Sequence, residues 1–303
     1  MEKVIVVIGP TSVGKTKMGV ALAKKFNGEV ISGDSMQIYK QMDIGTAKVT
    51  EEEKEGIIHH CVDILNSDET YSVHDFQQTV RKKITEIAQR GHVPIIVGGT
   101  GLYIKAALYD YQFDEMENDH HAINEKYKEN VAKSTFQNRD RYAKTLHFNN
   151  RRRVLRAIEI YETTGKRKSE MLEEQEHICL YDAYFVGLTL PRDVLYERIN
   201  KRVDVMMENG LKEEMDCLYS QGLTRNHQSM KAIGYKEWFD YYDHQIDLND
   251  VLELIKKHSR QYAKRQYTWF KNQFDVHWYD VNLENFEQTI EQVTDDIEKI
   301  LKV

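Results

Sequence analysis

A mixed α/β fold built on a parallel sheet follows from three features of this sequence. Short apolar runs are rich in β-branched residues, helix-period stretches separate them, and glycine turns sit where the runs end. Lys3-Val4-Ile5-Val6-Val7-Ile8 is apolar on both alternating faces and stops at Gly9-Pro10, the pattern of a strand buried on both sides. Helical spacing follows from Lys17 to Phe26, with Met18, Ala21 and Leu22 on one face. Glu29-Val30-Ile31-Ser32 reads as a second strand, stopped by Gly33-Asp34. Val73 to Arg90 supplies a crossover helix, and Val93-Pro94-Ile95-Ile96-Val97 a third strand, stopped by Gly98-Gly99. This order predicts right-handed crossovers and an open sheet with helices on both faces. A later strand is expected at Ala183 to Leu188, closed by Pro191, and its distance along the chain calls for an insertion. From Pro191 onward the pattern is nearly all helical, punctuated by Gly210, Gly222 and Gly234.

The 303 residues suggest about two domains. The expected organisation is a first part of the core at 1–108, an inserted helical subdomain at 109–150, and the rest of the core with a helical region at 151–303. With 41% hydrophobic residues, 30% charged and only 3 Pro, collagen-like and mostly disordered classes are excluded. Cys61, Cys179 and Cys217 lie far apart, which argues against a disulfide framework and against a paired-cysteine zinc site. No apolar run approaches the roughly 20 residues of a membrane span, and Met1-Glu2-Lys3 leads straight into the first strand without a signal peptide. The expectation is a cytoplasmic protein with no membrane partner. His59-His60-Cys61 is a histidine cluster that lacks further ligands at zinc spacing.

A net charge of −7 does not by itself suggest a polyanionic partner, but the charges are segregated. Residues 141–168 hold nine Lys/Arg against two acids, and residues 254–274 hold six Lys/Arg and no acid. Acids gather instead at 110–130, with seven, and at 275–303, with eight. Segregation of this kind is the footprint of a nucleic-acid surface, although solvated helix faces give it too.

Gly9-Pro10-Thr11-Ser12-Val13-Gly14-Lys15-Thr16 fits G-x-x-x-x-G-K-[ST] in full, after a strand and before a helix. Glycines let backbone N–H groups turn around a phosphate, and the helix N-terminus adds partial positive charge. Lys15 adds a full charge, while the Thr16 hydroxyl suits Mg²⁺. The core is thus P-loop NTPase-like, with a di- or triphosphate expected at Gly9 to Thr16. A nucleotide hydrolase of this type also wants an acid at the end of a second strand. The Val93–Val97 strand ends instead in Gly98-Gly99-Thr100-Gly101, and the acid follows Ser32, at Asp34. Asp34 therefore falls at the carboxyl edge of the sheet, as a metal-shell acid, a general base or a turn residue. Arg198 and Arg202 are four apart and share a face if helical, as a phosphate lid or an ordinary exposed helix. Arg260 to Lys271 interleaves bases with aromatics, which suits RNA contact and a half-buried amphipathic helix equally well.

Taken together, these segments resemble the bacterial tRNA dimethylallyltransferase family, the P-loop isopentenyltransferases that modify an adenosine beside the anticodon. The match runs through Gly9 to Thr16, Ile31 to Tyr39, Asp43 to Lys48, His59-His60, Gly98 to Tyr103, Asn149 to Glu159, Ile233 to Glu237, and Ala263 to Gln266 leading to Trp269-Phe270. The resemblance implies transfer of a dimethylallyl group from dimethylallyl diphosphate to the N6 amine of the adenosine 3′ of the anticodon. It implies Asp34 as general base, and Lys15, Thr16 and Arg202 as groups that neutralise the leaving diphosphate with Mg²⁺. Asp34, Ser35, Met36, Gln37 and Thr100 are implied to meet the tRNA. The implied partners are the tRNA anticodon stem-loop and dimethylallyl diphosphate, and the expected state is a monomer. Residues 110–150 are shorter and less regular than the family's inserted domain, and Phe148 stands where the family has Pro. Two rival readings share the P-loop: a small-molecule or nucleotide kinase, and a non-catalytic RNA-binding protein.

Overall fold

A computed structural model describes the protein at residues 1–111, 151–165, 167, 170 and 177–301. Along the chain these form β1 (Lys3–Ile8), α1 (Lys15–Lys25), β2 (Gly28–Ser32), α2 (Glu51–Lys54), β3 (His59–His60), α3 (Val73–Gln89), β4 (Val93–Gly98) and α4 (Gly101–Leu108). After them come α5 (Arg151–Thr164), β5 (Asp182–Thr189), α6 (Arg192–Glu208), α7 (Leu211–Ser220), α8 (Trp238–Tyr242), α9 (Leu248–Gln273), β6 (His277–Asp280) and α10 (Phe286–Leu301). The chain divides into two compact units, Met1–Tyr109 with Cys179–Val303, and Asp110–Ile178.

The first unit holds a sheet of six parallel strands in the order β3-β2-β4-β1-β5-β6. The four strands expected from the sequence form at the expected places. The apolar run of β1 sits at the centre, between β4 and β5. Its side chains alternate between two cores, as the two-residue strand period requires. Val4, Val6 and Ile8 join Phe76, Val80 and Ile84 of α3 on one face. Ile5 and Val7 join Met18 and Leu22 of α1 and Val293 and Ile297 of α10 on the other.

Two strands were not expected. β3 is two histidines long, too short for any periodic signal. β6 lies in the stretch read as helical, and of its His-Trp-Tyr-Asp only Tyr279 is fully buried. Both are edge strands, where one row of side chains and half of the ladder face outward, so little apolar pattern is required of them.

Helix ends are fixed locally. α2, α3 and α9 each begin with a reciprocal capping box, through Thr50 with Glu53, Ser72 with Asp75, and Asp247 with Asp250. α1 begins differently: Gly14 takes φ 107° at the N-cap and supplies no side chain, so the first N–H groups of the helix stay available to a ligand.

In the second unit the described helix is α5. It buries Val154, Ala157 and Ile158, and Glu159 is buried with Arg156 at 2.7 Å. The insertion expected at 109–150 lies outside the described residues from 112 onward.

Candidate active site

The sheet register determines which loops meet. Ile8 of β1 pairs with Gly98 of β4, and Ser32 of β2 pairs with Val97. All strands run the same way, so the phosphate loop, the Gly33-Asp34 turn and the Gly98–Gly101 turn leave the sheet side by side. Carboxyl-edge crevices of open parallel sheets are where such folds place ligands. Backbone bonds knit the last two turns together: Gly33 N–H donates to Val97 O at 2.8 Å, and Thr100 N–H to Gly33 O at 3.2 Å.

A cavity of about 350 Å³ opens at this edge. Its lining is mixed, with polar Thr11, Ser12, Asp34, Ser35 and Arg202 alongside apolar Ile199, Val203, Met206, Ile233 and Ile255. Lys231, Lys236 and Arg265 also reach it, so cations outnumber the Asp34 carboxylate. A lining that combines cations with aliphatic side chains suits an anion with a short hydrocarbon tail.

Lys15 folds back onto its own loop, its Nζ donating to Pro10 O at 2.7 Å. Burial, and next the neighbouring Arg202, push its pKa down to about 7, while Asp34 pulls it up. An added anion would favour the charged lysine. Arg202 donates from Nη1 to Thr11 Oγ1 at 3.2 Å and lies 3.5 Å from Ser12 Oγ, which places it across the loop mouth. Arg198, one turn earlier on α6, is exposed and donates to Ser12 O at 3.0 Å. The shared helix face expected for the pair is real, but only Arg202 lines the cavity.

Asp34 accepts from Met36 N–H at 2.9 Å through Oδ1. Burial raises its pKa above the ordinary carboxylate value, opposed by that N–H, by Lys15, by the Gln37 N–H and by Arg202. A carboxylate held in this way is a better proton acceptor than one in water.

Ser35 and Met36 line the cavity beside it. Thr100 stands behind them, accepting from Ser35 N–H at 3.2 Å. Gln37 is committed inward: its Oε1 accepts from Ser32 Oγ at 3.0 Å, and its Nε2 donates to Ala47 O at 3.3 Å and Thr46 O at 3.4 Å. It braces the Asp34 turn against the 43–47 loop, which forms another cavity wall.

Three contributors were not among the site residues expected from the sequence. Glu214 of α7 accepts from the N–H groups of Asp43, Ile44 and Gly45 at 2.8, 2.7 and 3.0 Å, and from Tyr235 Oη at 2.7 Å, anchoring the 43–47 loop. Tyr262 and Gln266 of α9 reach the Gly99 carbonyl from the opposite side. Their partners are 21 to 255 residues away, a separation no local pattern encodes.

Among the described residues no group of three His, Cys, Asp or Glu forms a metal cage. The donor set fits a hard cation shared with phosphate oxygens, to which Thr16 contributes a hydroxyl at the start of α1. His60 instead pairs with the buried Glu29 at 2.6 Å, alongside Arg90. Among the described residues no helix is long and apolar enough to cross a membrane.

Comparison with known proteins agrees with this arrangement. Residues 37–273 match the family model described as IPP transferase. A Bacillus cereus protein named tRNA dimethylallyltransferase is 53% identical over 292 residues, covering 92% of this chain and 90% of the relative. One from Bacillus anthracis is 52% identical, covering 92% and 91%. The crystal structure of tRNA delta(2)-isopentenylpyrophosphate transferase from Staphylococcus epidermidis aligns with a TM-score of 0.75 and 45% identity over 99% of both chains. A eukaryotic dimethylallyltransferase acting on tRNA aligns with a TM-score of 0.87 and 34% identity, covering 99% of this chain and 79% of that one. With its three loops at one sheet edge and these relatives along nearly its whole length, the chain belongs to the IPP transferase family.

Proposed function

We propose that this protein transfers a dimethylallyl group from dimethylallyl diphosphate to the N6 amine of the adenosine 3′ of the anticodon in tRNA, releasing diphosphate. The observation that carries the reading is that Asp34 and Arg202 line one cavity that also has aliphatic walls, with Lys15 close enough to influence the charge of Asp34. The diphosphate fits the N–H groups at the start of α1, Lys15 and Arg202. The five-carbon group fits the wall formed by Ile199, Val203 and Met206, where burial is worth about 4 kcal/mol at roughly 0.8 kcal/mol per carbon. Adenine N6 attacks C1 of the allyl group as the C1–O bond breaks, and the electron pair of that bond leaves with the diphosphate. The amine becomes acidic as the C–N bond forms, and Asp34 takes its proton. Lys15, on turning from the Pro10 carbonyl to the diphosphate, and Arg202 neutralise the charge that grows on the leaving oxygen. Thr16 and the diphosphate would together hold Mg²⁺, which when bound supplies further neutralisation of the leaving group.

The adenosine has to leave its stack to reach a recessed carboxylate, which costs least in a single-stranded loop. Ser35 and Met36, on the cavity wall, are positioned to meet it. The segregated basic charge, including the Lys/Arg-rich α9, supplies attraction to the stem phosphates. A monomer in the cytoplasm is sufficient for this reaction. The kinase reading is disfavoured because β4 ends in Gly98-Gly99 rather than an acid, and because the relatives are transferases.

The test is diphosphate release from dimethylallyl diphosphate with and without unmodified tRNA, with ATP in a parallel reaction. Release that depends on tRNA, with ATP untouched, is the expected result. Consumption of ATP with no allyl transfer would replace the reading with the kinase.

A further inference from the structure

Gln266 is 5% exposed and lies midway along α9, more than 250 residues from the phosphate loop. Its Oε1 accepts from Thr11 N–H at 3.0 Å, and its Nε2 donates to Gly99 O at 3.0 Å. The amide orientation is unambiguous, because a backbone N–H only donates and a carbonyl only accepts. One side chain thus ties together the two glycine turns that carry Lys15 and Thr100. Its neighbours on α9 share the task. Tyr262, one turn earlier, donates to the same Gly99 carbonyl at 3.3 Å. Trp269 packs so closely on Gly101 that a Cβ there would lie 2.2 Å from the indole. A Cβ at Gly99 would lie 2.2 Å from Gln266 Nε2, so the glycine keeps room for the amide.

We propose that Gln266 is a positioning residue for diphosphate binding: by occupying Thr11 N–H and Gly99 O it holds the phosphate loop in register with the Asp34–Thr100 edge before substrate arrives. The inference rests on the dimethylallyltransferase reading of this cavity. Thr11 N–H is spoken for, so the diphosphate is left to the N–H groups nearer α1. Losing the brace leaves Thr11 N–H without its partner and Gly99 O with Tyr262 alone, a penalty that falls on the loop's binding conformation.

The test uses inorganic diphosphate with Mg²⁺ as the probe, and a tRNA anticodon stem-loop as the control ligand. Gln266→Met is expected to weaken diphosphate binding about tenfold while stem-loop affinity stays within about twofold of wild type. Gly99→Ala displaces only the end of a flexible side chain, so it folds, and it is expected to reproduce the defect. The double variant is expected to be hardly worse than either single one, because both break the same link. In the unliganded wild type, the Thr11 amide is expected to exchange slowly with solvent. Wild-type diphosphate affinity in Gln266→Met, independent multiplying losses in the double variant, or fast exchange at Thr11 would each overturn the proposal. Failure of the wild type to bind diphosphate at all would overturn the parent reading instead.

Discussion

Replacing Arg202 and Arg198 one at a time by methionine tests whether the cavity is built for a leaving diphosphate. The two arginines sit one turn apart on α6 and look equivalent in sequence, yet their surroundings differ. Arg202 lies in the cavity, within 3.2 Å of Thr11 Oγ1, where burial is the main influence lowering its pKa. A unit charge about 4 Å from a phosphate oxygen interacts by roughly 4 kcal/mol at an effective dielectric constant of about 20. Preorganised donors facing developing negative charge contribute about 2.7–4 kcal/mol in comparable sites. Arg202→Met is therefore expected to slow single-turnover transfer by about a hundredfold to a thousandfold. Arg198 is exposed, and its bond to Ser12 O competes with water. Its removal is worth about 0–1 kcal/mol, a factor of about five or less. Arg202 also helps to hold the Lys15 pKa down, so without it Lys15 keeps its proton to higher pH. The deficit of Arg202→Met in inorganic diphosphate binding should accordingly shrink as pH rises above 7. The assay is rapid quench with saturating tRNA and labelled dimethylallyl diphosphate. Equal losses in the two variants, or an Arg202→Met rate within fivefold of wild type, would refute the reasoning.

Asp34→Asn should cost roughly two to four orders of magnitude in transfer while tRNA affinity is kept, since it removes the proton acceptor and not the turn. The wild-type rate should climb with pH as Asp34 loses its proton, over a range displaced upward from that of an ordinary carboxylate by burial, and the variant should lack that limb; near-normal single-turnover transfer by Asp34→Asn removes the base assignment. Lys15, with a pKa near 7 in the free protein, must be charged to hold diphosphate, so binding should take up close to one proton at pH 8 and few at pH 6. Calorimetry in two buffers of different ionisation enthalpy measures this, and no buffer dependence at pH 8 would contradict it. Glu214→Ala strips the acceptor from three backbone N–H groups and Tyr235 Oη, and should lower stability by about 2 kcal/mol in urea unfolding, with a larger relative loss of transfer. A change below about 0.5 kcal/mol would mean that water replaces the carboxylate.

Much of the architecture could be read from residue order alone. The β1 run, the Gly9–Thr16 motif and the helix periods announce themselves locally, because burial on both faces and phosphate binding each demand a fixed residue pattern. The carboxyl-edge position of Asp34 followed from Ser32-Gly33-Asp34 once the strands were assigned as parallel. What was not legible depends on distance in sequence or on edge position. β6 presents one fully buried side chain, too little for a strand pattern. The difference between Arg202, which lines the cavity, and the exposed Arg198 depends on tertiary placement that their shared helix face does not reveal. Gln37 sits in a segment expected to face nucleotide, yet its amide is satisfied within the protein. Gln266 was visible only as part of a matched segment, since its role depends on two turns brought to it by the sheet.

The central claim is a new bond between a five-carbon group and one adenine nitrogen, made in this cavity. Its most direct test is nucleoside mass spectrometry of an anticodon stem-loop after incubation with the protein, Mg²⁺ and dimethylallyl diphosphate, fragmented to locate the added group. The account predicts one dimethylallyl group on N6 of the adenosine 3′ of the anticodon, absent when Asp34→Asn replaces the wild type. Addition at another nucleotide, at another atom, or at undiminished yield with Asp34→Asn would contradict it.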